Sequence, residues 1–253
     1  MALHLLYGGT FDPIHCGHLA VARVALESTR ADHLDFVPAA DPPHRAAPGA
    51  AFADRIDLIA AALAGEPPLP HGEWGIDARE GRRPGPSFTV DTLRAWRLER
   101  AAHRAHPAMP DALDAATARL HPPLGFVLGA DAFLGLPTWR DWRTLFDLAH
   151  LVVALRPGSD LGALPGALAA VVERRWTSDP AHLHAAPAGR VFRLDLPLRP
   201  ESATAVRHGL QARGSAGAQR QDHATAPQVT AGLPPAVAAL IAARGLYRRR
   251  CGN

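Results

Sequence analysis

Residues 3–22 read LHLLYGGTFDPIHCGHLAVA, and the order of residue types in this stretch decides which fold class the chain can adopt. Its first part, residues 3–7, is a short apolar run typical of a buried strand, which Gly8 and Gly9 bring to an end. A helical pattern of apolar residues begins near Leu19. A strand that passes through a glycine turn directly into a helix is typical of β-α units, and β-α units build parallel sheets.

The same alternation continues along the rest of the chain. Short apolar runs predict strands, and longer amphipathic stretches between them predict helices. The predicted strands are residues 3–7, 34–37, 126–128, 151–155 and 191–194. The predicted helices are residues 19–28, 54–64, 90–100, 142–148, 164–174 and 235–243. We therefore predict an α/β fold, a Rossmann-like doubly wound parallel sheet with helices on both faces, whose ligands bind at the carboxyl ends of the strands.

The length of 253 residues fits a single domain over residues 1–253. Residues 101–123 are rich in Ala, His and Pro and look like an addition to the alternating pattern. Residues 211–232 are small and polar with little to bury, which predicts a mobile loop. Residues 233–247 are expected to form a small C-terminal helical part.

The composition excludes several classes of mechanism. All 27 basic residues are arginine, so a P-loop or a lysine nucleophile is excluded, and a phosphate can be held by a side-chain cation only through Arg or a protonated His. The N-terminus lacks a basic segment before its apolar run, and no apolar run is long enough to span a bilayer. We therefore expect a cytoplasmic protein that does not enter the membrane. The pI of about 9.5 could indicate RNA binding, but the arginines are scattered, and no nucleic-acid partner is expected.

The histidines of the opening stretch, His15 and His18, are three residues apart and flank the start of a helix. A helix start carries amide groups and a positive dipole end, which favour an anion. Two imidazoles on one turn at that place could contact one phosphate group. An isolated pair with this spacing would more often be a metal site or two ordinary histidines; the surrounding string at a strand-to-helix junction favours the phosphate site.

The string GGTFDPIHCGH at residues 8–18 resembles the HxGH signature of a nucleotidyltransferase superfamily. Further strings are similar to the bacterial nicotinate-nucleotide adenylyltransferase family: PAADPPHR (38–45), REGRRPGPSFTVDTL (79–93), VLGADAFLGLPTWR (127–140), HLVVALRPG (150–158), SATAVR (202–207) and the final GLYR. The resemblance implies transfer of the adenylyl group from ATP to nicotinate mononucleotide in NAD biosynthesis. It also implies direct in-line attack without a covalent intermediate, with Mg²⁺ accompanying ATP.

The resemblance also implies roles for individual residues. The catalytic group comprises His15, His18 and Arg207. The ATP site comprises Gly8, Gly9, Thr10, Phe11, Gly17, Gly129, Asp131, Ser202 and Thr204. The nicotinate mononucleotide side comprises His44, Arg45, Thr89, Trp139, Arg140 and Arg156. No protein side chain is expected to bind the metal.

Two alternatives remain open at this stage. One is another HxGH adenylyltransferase, of the phosphopantetheine type, although such chains are shorter and lack the LPTW string found at 136–139. The other is a nucleotide- or RNA-binding module without turnover. The expected partners are ATP and nicotinate mononucleotide, and a homo-oligomer is compatible with the sequence.

Overall fold

The computed structural model describes residues 2–43, 47–104, 121–155, 158, 161–162, 164–196, 206–207, 210 and 232–247. Within these ranges the strands are β1 (His4–Gly9), β2 (His33–Pro38), β3 (Glu73–Ile76), β4 (Leu124–Gly129), β5 (His150–Leu155), β6 (Trp176–Thr177) and β7 (Val191–Asp195). They form one sheet in the order β3-β2-β1-β4-β5-β7-β6, and every neighbouring pair is parallel.

The helices of the described ranges connect these strands and cover the sheet. They are α1 (Cys16–Thr29), α2 (Phe52–Ala64), α3 (Thr89–Arg104), α4 (Ala130–Leu134), α5 (Leu145–Leu148), α6 (Gly166–Val172), α7 (Ala181–His184) and α8 (Pro235–Arg244). Short 3₁₀ turns lie at Arg79–Arg82, Leu136–Thr138 and Trp142–Thr144. No helix in the described part of the chain is long and apolar enough to cross a membrane.

The sheet has an apolar core on each face. Because side chains alternate along a strand, Leu5 and Tyr7 of β1 join one cluster, with residues of α1, α2 and α8, whereas Leu6 joins the other, with residues of α3 to α6. Helices therefore cover both faces of a parallel sheet, and the predicted fold class is confirmed. The first cluster continues into the C-terminal helix through Val237 and Ile241.

The sequence missed the short elements. Strand β3 has four residues and β6 has two, too few to show a period, and α4 begins at the residue directly after β4. The stretch predicted as one helix at 142–148 is a 3₁₀ turn followed by α5, and the helix predicted at 164–174 extends over Gly166–Val172 only. The loop predicted at 211–232 lies outside the described residues except for Gly232.

One fully buried histidine fixes the loop between α7 and β7 to the start of β5, at the amino edge of the sheet. His150 begins β5 and is 0% exposed. Its Nδ1 accepts from the Arg190 amide at 3.0 Å, so its proton is on Nε2, which donates to the Ala186 carbonyl at 2.8 Å. Burial disfavours the charged imidazolium, and it lowers the pKa of His150 to about 4.

This shift predicts acid sensitivity of the fold. Because the folded-state pKa lies below the unfolded value of about 6.5, the stabilisation is complete above pH ~6.5 and is lost as the pH falls from there through ~4. The loss amounts to roughly 3 kcal/mol at most. We expect His150→Gln to flatten the pH dependence of the free energy of unfolding in this window, measured by urea denaturation at several pH values. A matched change at exposed His71 should leave it unaltered, and equal slopes for wild type and His150→Gln would contradict the assignment.

Candidate active site

The strand order changes direction between β1 and β4. Strands β2 and β3 lie on one side of β1, whereas β4 and β5 lie on its other side. Ligands of open parallel sheets bind at such a point. Gly8, at the end of β1, has no room for a side chain, because a Cβ there would lie 2.4 Å from the ring of Phe126. Gly129, at the end of β4, is exposed, and a Cβ there would meet nothing within 4 Å. A side chain is therefore excluded at Gly8, whereas the space beside Gly129 is open.

The two motif histidines lie together at the start of α1. His15 is the N-cap residue and is 2% exposed, and its ring stacks on that of His18 with the centroids 3.7 Å apart. The His15 amide donates to Nδ1 of His18 at 3.3 Å. A ring nitrogen that accepts a hydrogen bond carries no proton, so the His18 proton is on Nε2. Phe11 is buried and packs edge-on against His18 with the ring centroids 5.0 Å apart, which restricts the imidazole from a further side.

The first turn of α1 differs from the expectation of free amides. The Cys16 amide donates to the carbonyl of Gly232 at 2.7 Å, and the His18 amide donates to the carbonyl of His15 at 2.9 Å. Fewer amides are therefore available to an anion at this helix end than the sequence indicated, because the Cys16 amide is bonded to the carbonyl of Gly232. Gly17, between the two bonded positions, is half-buried.

The Asp12 side chain connects the motif loop, residues 10–15, to segments far along the chain. Its carboxylate is buried and accepts from the Gly49 amide at 2.7 Å, from the Ala50 amide at 3.1 Å and from the Tyr247 hydroxyl at 2.8 Å. Nη1 of Arg207 donates to the Asp12 carbonyl at 2.6 Å and lies 3.9 Å from the carboxylate. The loop that carries the histidines is therefore tied to Arg207, the predicted catalytic arginine of the SATAVR string.

Tyr247 reaches this site from the segment that follows α8. Its side chain is buried, and both burial and the Asp12 carboxylate raise the pKa of its hydroxyl well above its ordinary value. The hydroxyl is therefore a permanent donor. Arg244 on α8 pairs with Asp54 at 2.8 Å and Asp57 at 2.7 Å, which ties α8 to α2 at the surface.

A buried arginine joins the motif loop to the loop after β2. Arg55 of α2 is 1% exposed, and its Nη1 donates to the carbonyls of Thr10 at 2.6 Å and Ala39 at 2.7 Å. Burial lowers the pKa of this guanidinium, whereas the nearby Asp12 carboxylate raises it. The side chain therefore sets the distance between the carboxyl ends of β1 and β2, a role that sequence reasoning did not assign.

Three of the predicted acceptor residues, Thr89, Trp139 and Arg140, lie at or near the start of α3. Ser87 accepts from the amides of Ala40 and Asp41 through its hydroxyl, at 3.1 and 3.2 Å, so the loop after β2 is fixed to the loop before α3. Thr89 is the first residue of α3, and half-buried Trp139 packs against the second core cluster.

Arg140 has neighbours of its own in this region. Its Nη1 lies 3.6 Å from the Asp91 carboxylate, and its guanidinium lies 4.9 Å over the ring of Phe88. Its side chain is 54% exposed, so a ligand carboxylate would compete with Asp91 in a solvated environment. A role of Arg140 in acceptor selection stays a prediction.

Several predicted site residues lie outside the described residues: His44, Arg45, Arg156, Ser202 and Thr204. Of the predicted ATP-site residues, Asp131 lies exposed in the first turn of α4, beside Gly129. The residues that sequence reasoning missed are Asp12, Arg55 and Tyr247. The only signals for them were an acidic residue inside a glycine-rich string and the quoted GLYR string.

Comparisons with known proteins agree with this architecture. A family model described as cytidylyltransferase-like matches residues 6–209. A relative from Stenotrophomonas maltophilia (strain K279a), named "Probable nicotinate-nucleotide adenylyltransferase", is 44% identical over 98% of both chains. A relative of the same name from Xylella fastidiosa (strain M12) is 39% identical over 97% of this chain and 96% of its own length.

A solved structure shows the same fold at low sequence identity. It is the Plasmodium falciparum nicotinic acid mononucleotide adenylyltransferase complexed with NaAD, with a TM-score of 0.65, 14% identity and 98% of each chain covered. The fold, the motif loop and the full-length similarity lead to one assignment: the chain belongs to the cytidylyltransferase-like family and, within it, to the nicotinate-nucleotide adenylyltransferase family.

Proposed function

We propose that the protein transfers the adenylyl group of ATP to nicotinate mononucleotide, giving nicotinate adenine dinucleotide and pyrophosphate. The observation that carries this proposal is the stacked pair of His15 and His18 beside the glycine turn where the strand order switches. The names of the curated relatives supply the acceptor, and the Plasmodium falciparum protein of the same fold was solved with NaAD.

In the proposed reaction an oxygen of the acceptor's 5′-phosphate attacks the α-phosphorus of ATP in line. The new O–P bond forms as the bond to the leaving pyrophosphate breaks. The attacking oxygen is already anionic, so neither a protein nucleophile nor a general base is needed. The contribution of the protein is to position the two substrates and to stabilise the charge on the phosphoryl oxygens.

His18 suits charge stabilisation as a neutral donor. Because its Nδ1 accepts the His15 amide, Nε2–H is the group that can donate to an oxygen of the α-phosphate. A neutral imidazole in this tautomer needs no protonation step before it donates. Arg207, held by the carbonyl of Asp12, is the cation that we assign to the leaving pyrophosphate.

We infer that Mg²⁺ accompanies the triphosphate and takes its ligands from phosphate oxygens and water. The donor set supports this, because the Asp12 carboxylate already accepts three hydrogen bonds and faces Arg207. Such a carboxylate would have to give up its partners to bind a hard cation, which usually keeps several waters beside substrate phosphates. Bound to the triphosphate, the ion would neutralise negative charge on the leaving pyrophosphate.

For the acceptor we infer a pocket between the start of α3 and the 3₁₀ turn that precedes Trp139. The amides at the start of α3, near Thr89, suit a carboxylate, and Trp139 suits the pyridine ring. An amide in place of the carboxylate would direct its own N–H groups at these donors. Each buried group left unpaired in this way costs about 1–3 kcal/mol.

The direct test is a pyrophosphate-release assay with ATP and a panel of acceptors. We expect turnover with nicotinate mononucleotide and a kcat/KM at least about fivefold lower with nicotinamide mononucleotide, the lower bound for one unpaired group. Comparable values for the two mononucleotides would refute the carboxylate pocket but leave adenylyl transfer standing. Turnover with phosphopantetheine alone, or with no acceptor in the panel, would refute the proposed function.

The role of His18 predicts a defect in turnover rather than in binding. His18→Ala is expected to lower kcat by about 10²–10³ at saturating substrates, as is usual when one transition-state donor is lost, with little change in acceptor KM. Cys16→Ser changes a neighbouring side chain of the same turn and serves as the matched control, with near wild-type kcat. A wild-type kcat for His18→Ala would exclude the assigned role.

The bond between Tyr247 and Asp12 predicts a link between the C-terminal segment and ATP. Tyr247→Phe keeps the buried ring and removes only the donor, so we expect about 1–3 kcal/mol less stability and a higher KM for ATP at unchanged acceptor KM. Arg244→Gln weakens the docking of α8 without touching Asp12, and its ATP KM should stay at the wild-type value. If both variants raise the ATP KM equally, helix docking and not the Asp12 bond is responsible.

A further inference from the structure

A second group of chemically capable side chains lies at the other edge of the sheet. His4 is the first residue of β1 and pairs in register with His33, the first residue of β2. Asp35 is two residues further along β2 and therefore projects from the same face as His33. No sequence pattern singles out these residues, because they become neighbours only through the strand register.

The three side chains converge on one small volume. Nε2 of His4 lies 2.9 Å from one oxygen of Asp35, and Nε2 of His33 lies 3.0 Å from the other. These nitrogen and oxygen atoms all lie within 4.8 Å of one another. In the described part of the chain this is the only group of three His, Cys, Asp or Glu side chains with that geometry.

The neighbouring strand leaves room for the carboxylate. Asp35 pairs in register with Gly75 of β3, and a Cβ at Gly75 would lie 2.5 Å from Oδ1 of Asp35. Any other residue at position 75 would push the carboxylate out of the cluster. Solvent still reaches the group, because the side chains of His4, His33 and Asp35 are 11%, 32% and 18% exposed.

Charged groups on β3 and α3 lie near the cluster and act on its two histidines. Burial lowers the pKa of His4, whereas the bond to Asp35 raises that of His33. The two hydrogen bonds hold the pKa of Asp35 well below its ordinary value. Glu73 on β3 adds negative charge near His33, and Arg100 on α3 adds positive charge near both histidines.

We propose that His4, His33 and Asp35 bind a single first-row transition-metal ion of the Zn²⁺ class at the amino edge of the sheet. Two imidazoles and one carboxylate form a donor set that Zn²⁺ accepts, with water completing the coordination. The ion takes the place of the two His–Asp hydrogen bonds, and each histidine then presents an unprotonated Nε2 and carries its proton on Nδ1.

The position of this site assigns it a structural role. Gly9 lies at the opposite end of β1, five residues and roughly 16 Å from His4. The ion therefore joins β1 to β2 and takes no part in phosphoryl chemistry. Binding to the folded state alone raises its stability, so the expected readout is the melting temperature.

The test starts from the full chain stripped with a chelator, without nucleotide. We expect isothermal titration with Zn²⁺ to show one bound ion per chain and a higher melting temperature, and Co²⁺ to give a visible absorption band typical of low coordination. His4→Gln/His33→Gln should abolish the band and weaken binding by more than about 100-fold, beyond the roughly 10–100-fold that loss of an outer-shell partner costs. His71→Gln, an exposed control, should bind like wild type.

Histidine modification of the wild-type chain tests the site without relying on a variant that folds. Carboxyethylation mapped by mass spectrometry should show His4 and His33 protected by Zn²⁺. Failure of wild type to bind a stoichiometric ion would overturn the proposal and leave the cluster as a hydrogen-bond network. Unchanged binding in a folded double variant, or protection of His15 and His18 instead, would also overturn it, since the ion would then lie at the nucleotide site.

Discussion

The buried carboxylate of Asp12 is the group on which the arrangement of the nucleotide site depends. A charge withdrawn from water costs several kcal/mol unless it is paired and hydrogen-bonded, and here two amides, one hydroxyl and the nearby Arg207 compensate it. These groups come from three separate parts of the chain: the two amides precede α2, and Arg207 and Tyr247 follow much later. The electrostatic requirement of one side chain therefore brings the motif loop, the start of α2 and the C-terminal segment together.

Arginine side chains make a second set of hydrogen bonds between segments. Neutral polar side chains could not replace them, because they carry fewer donors. Arg55 reaches two loops through one guanidinium nitrogen, and Arg97 donates to the carbonyls of Leu148, Pro122 and Pro187 from a buried position. A planar guanidinium offers five donors in a rigid fork, so one residue can satisfy several carbonyls that leave strands and helices at different angles. In a chain without lysine, these arginines are framework residues, not a surface for nucleic acid.

The predictable part of the molecule is the part that depends on local pattern. Apolar runs and amphipathic stretches gave the five longer strands and the doubly wound class, and the glycine turn gave the place of the site. The contacts of Asp12 and Tyr247, and the neighbourhood of His4 and His33, could not be predicted, because they depend on register and on packing between segments far apart in sequence. Motifs identify residues that touch a ligand; they carry no information on what holds those residues in place.

The hydrogen bond between Asp12 and Tyr247 joins residues 235 positions apart. Contacts of such long range form late, because the loop between them must first be closed, and an N-terminal segment emerges from the ribosome long before its C-terminal partner. During synthesis the Asp12 carboxylate of the motif loop therefore remains in water until Tyr247 has been made. The Cys16 amide likewise has no bond to the carbonyl of Gly232 until that residue has been made. The site reaches its final form only once residue 247 has been made, so an interrupted chain carries the motif but lacks the framework that orders it.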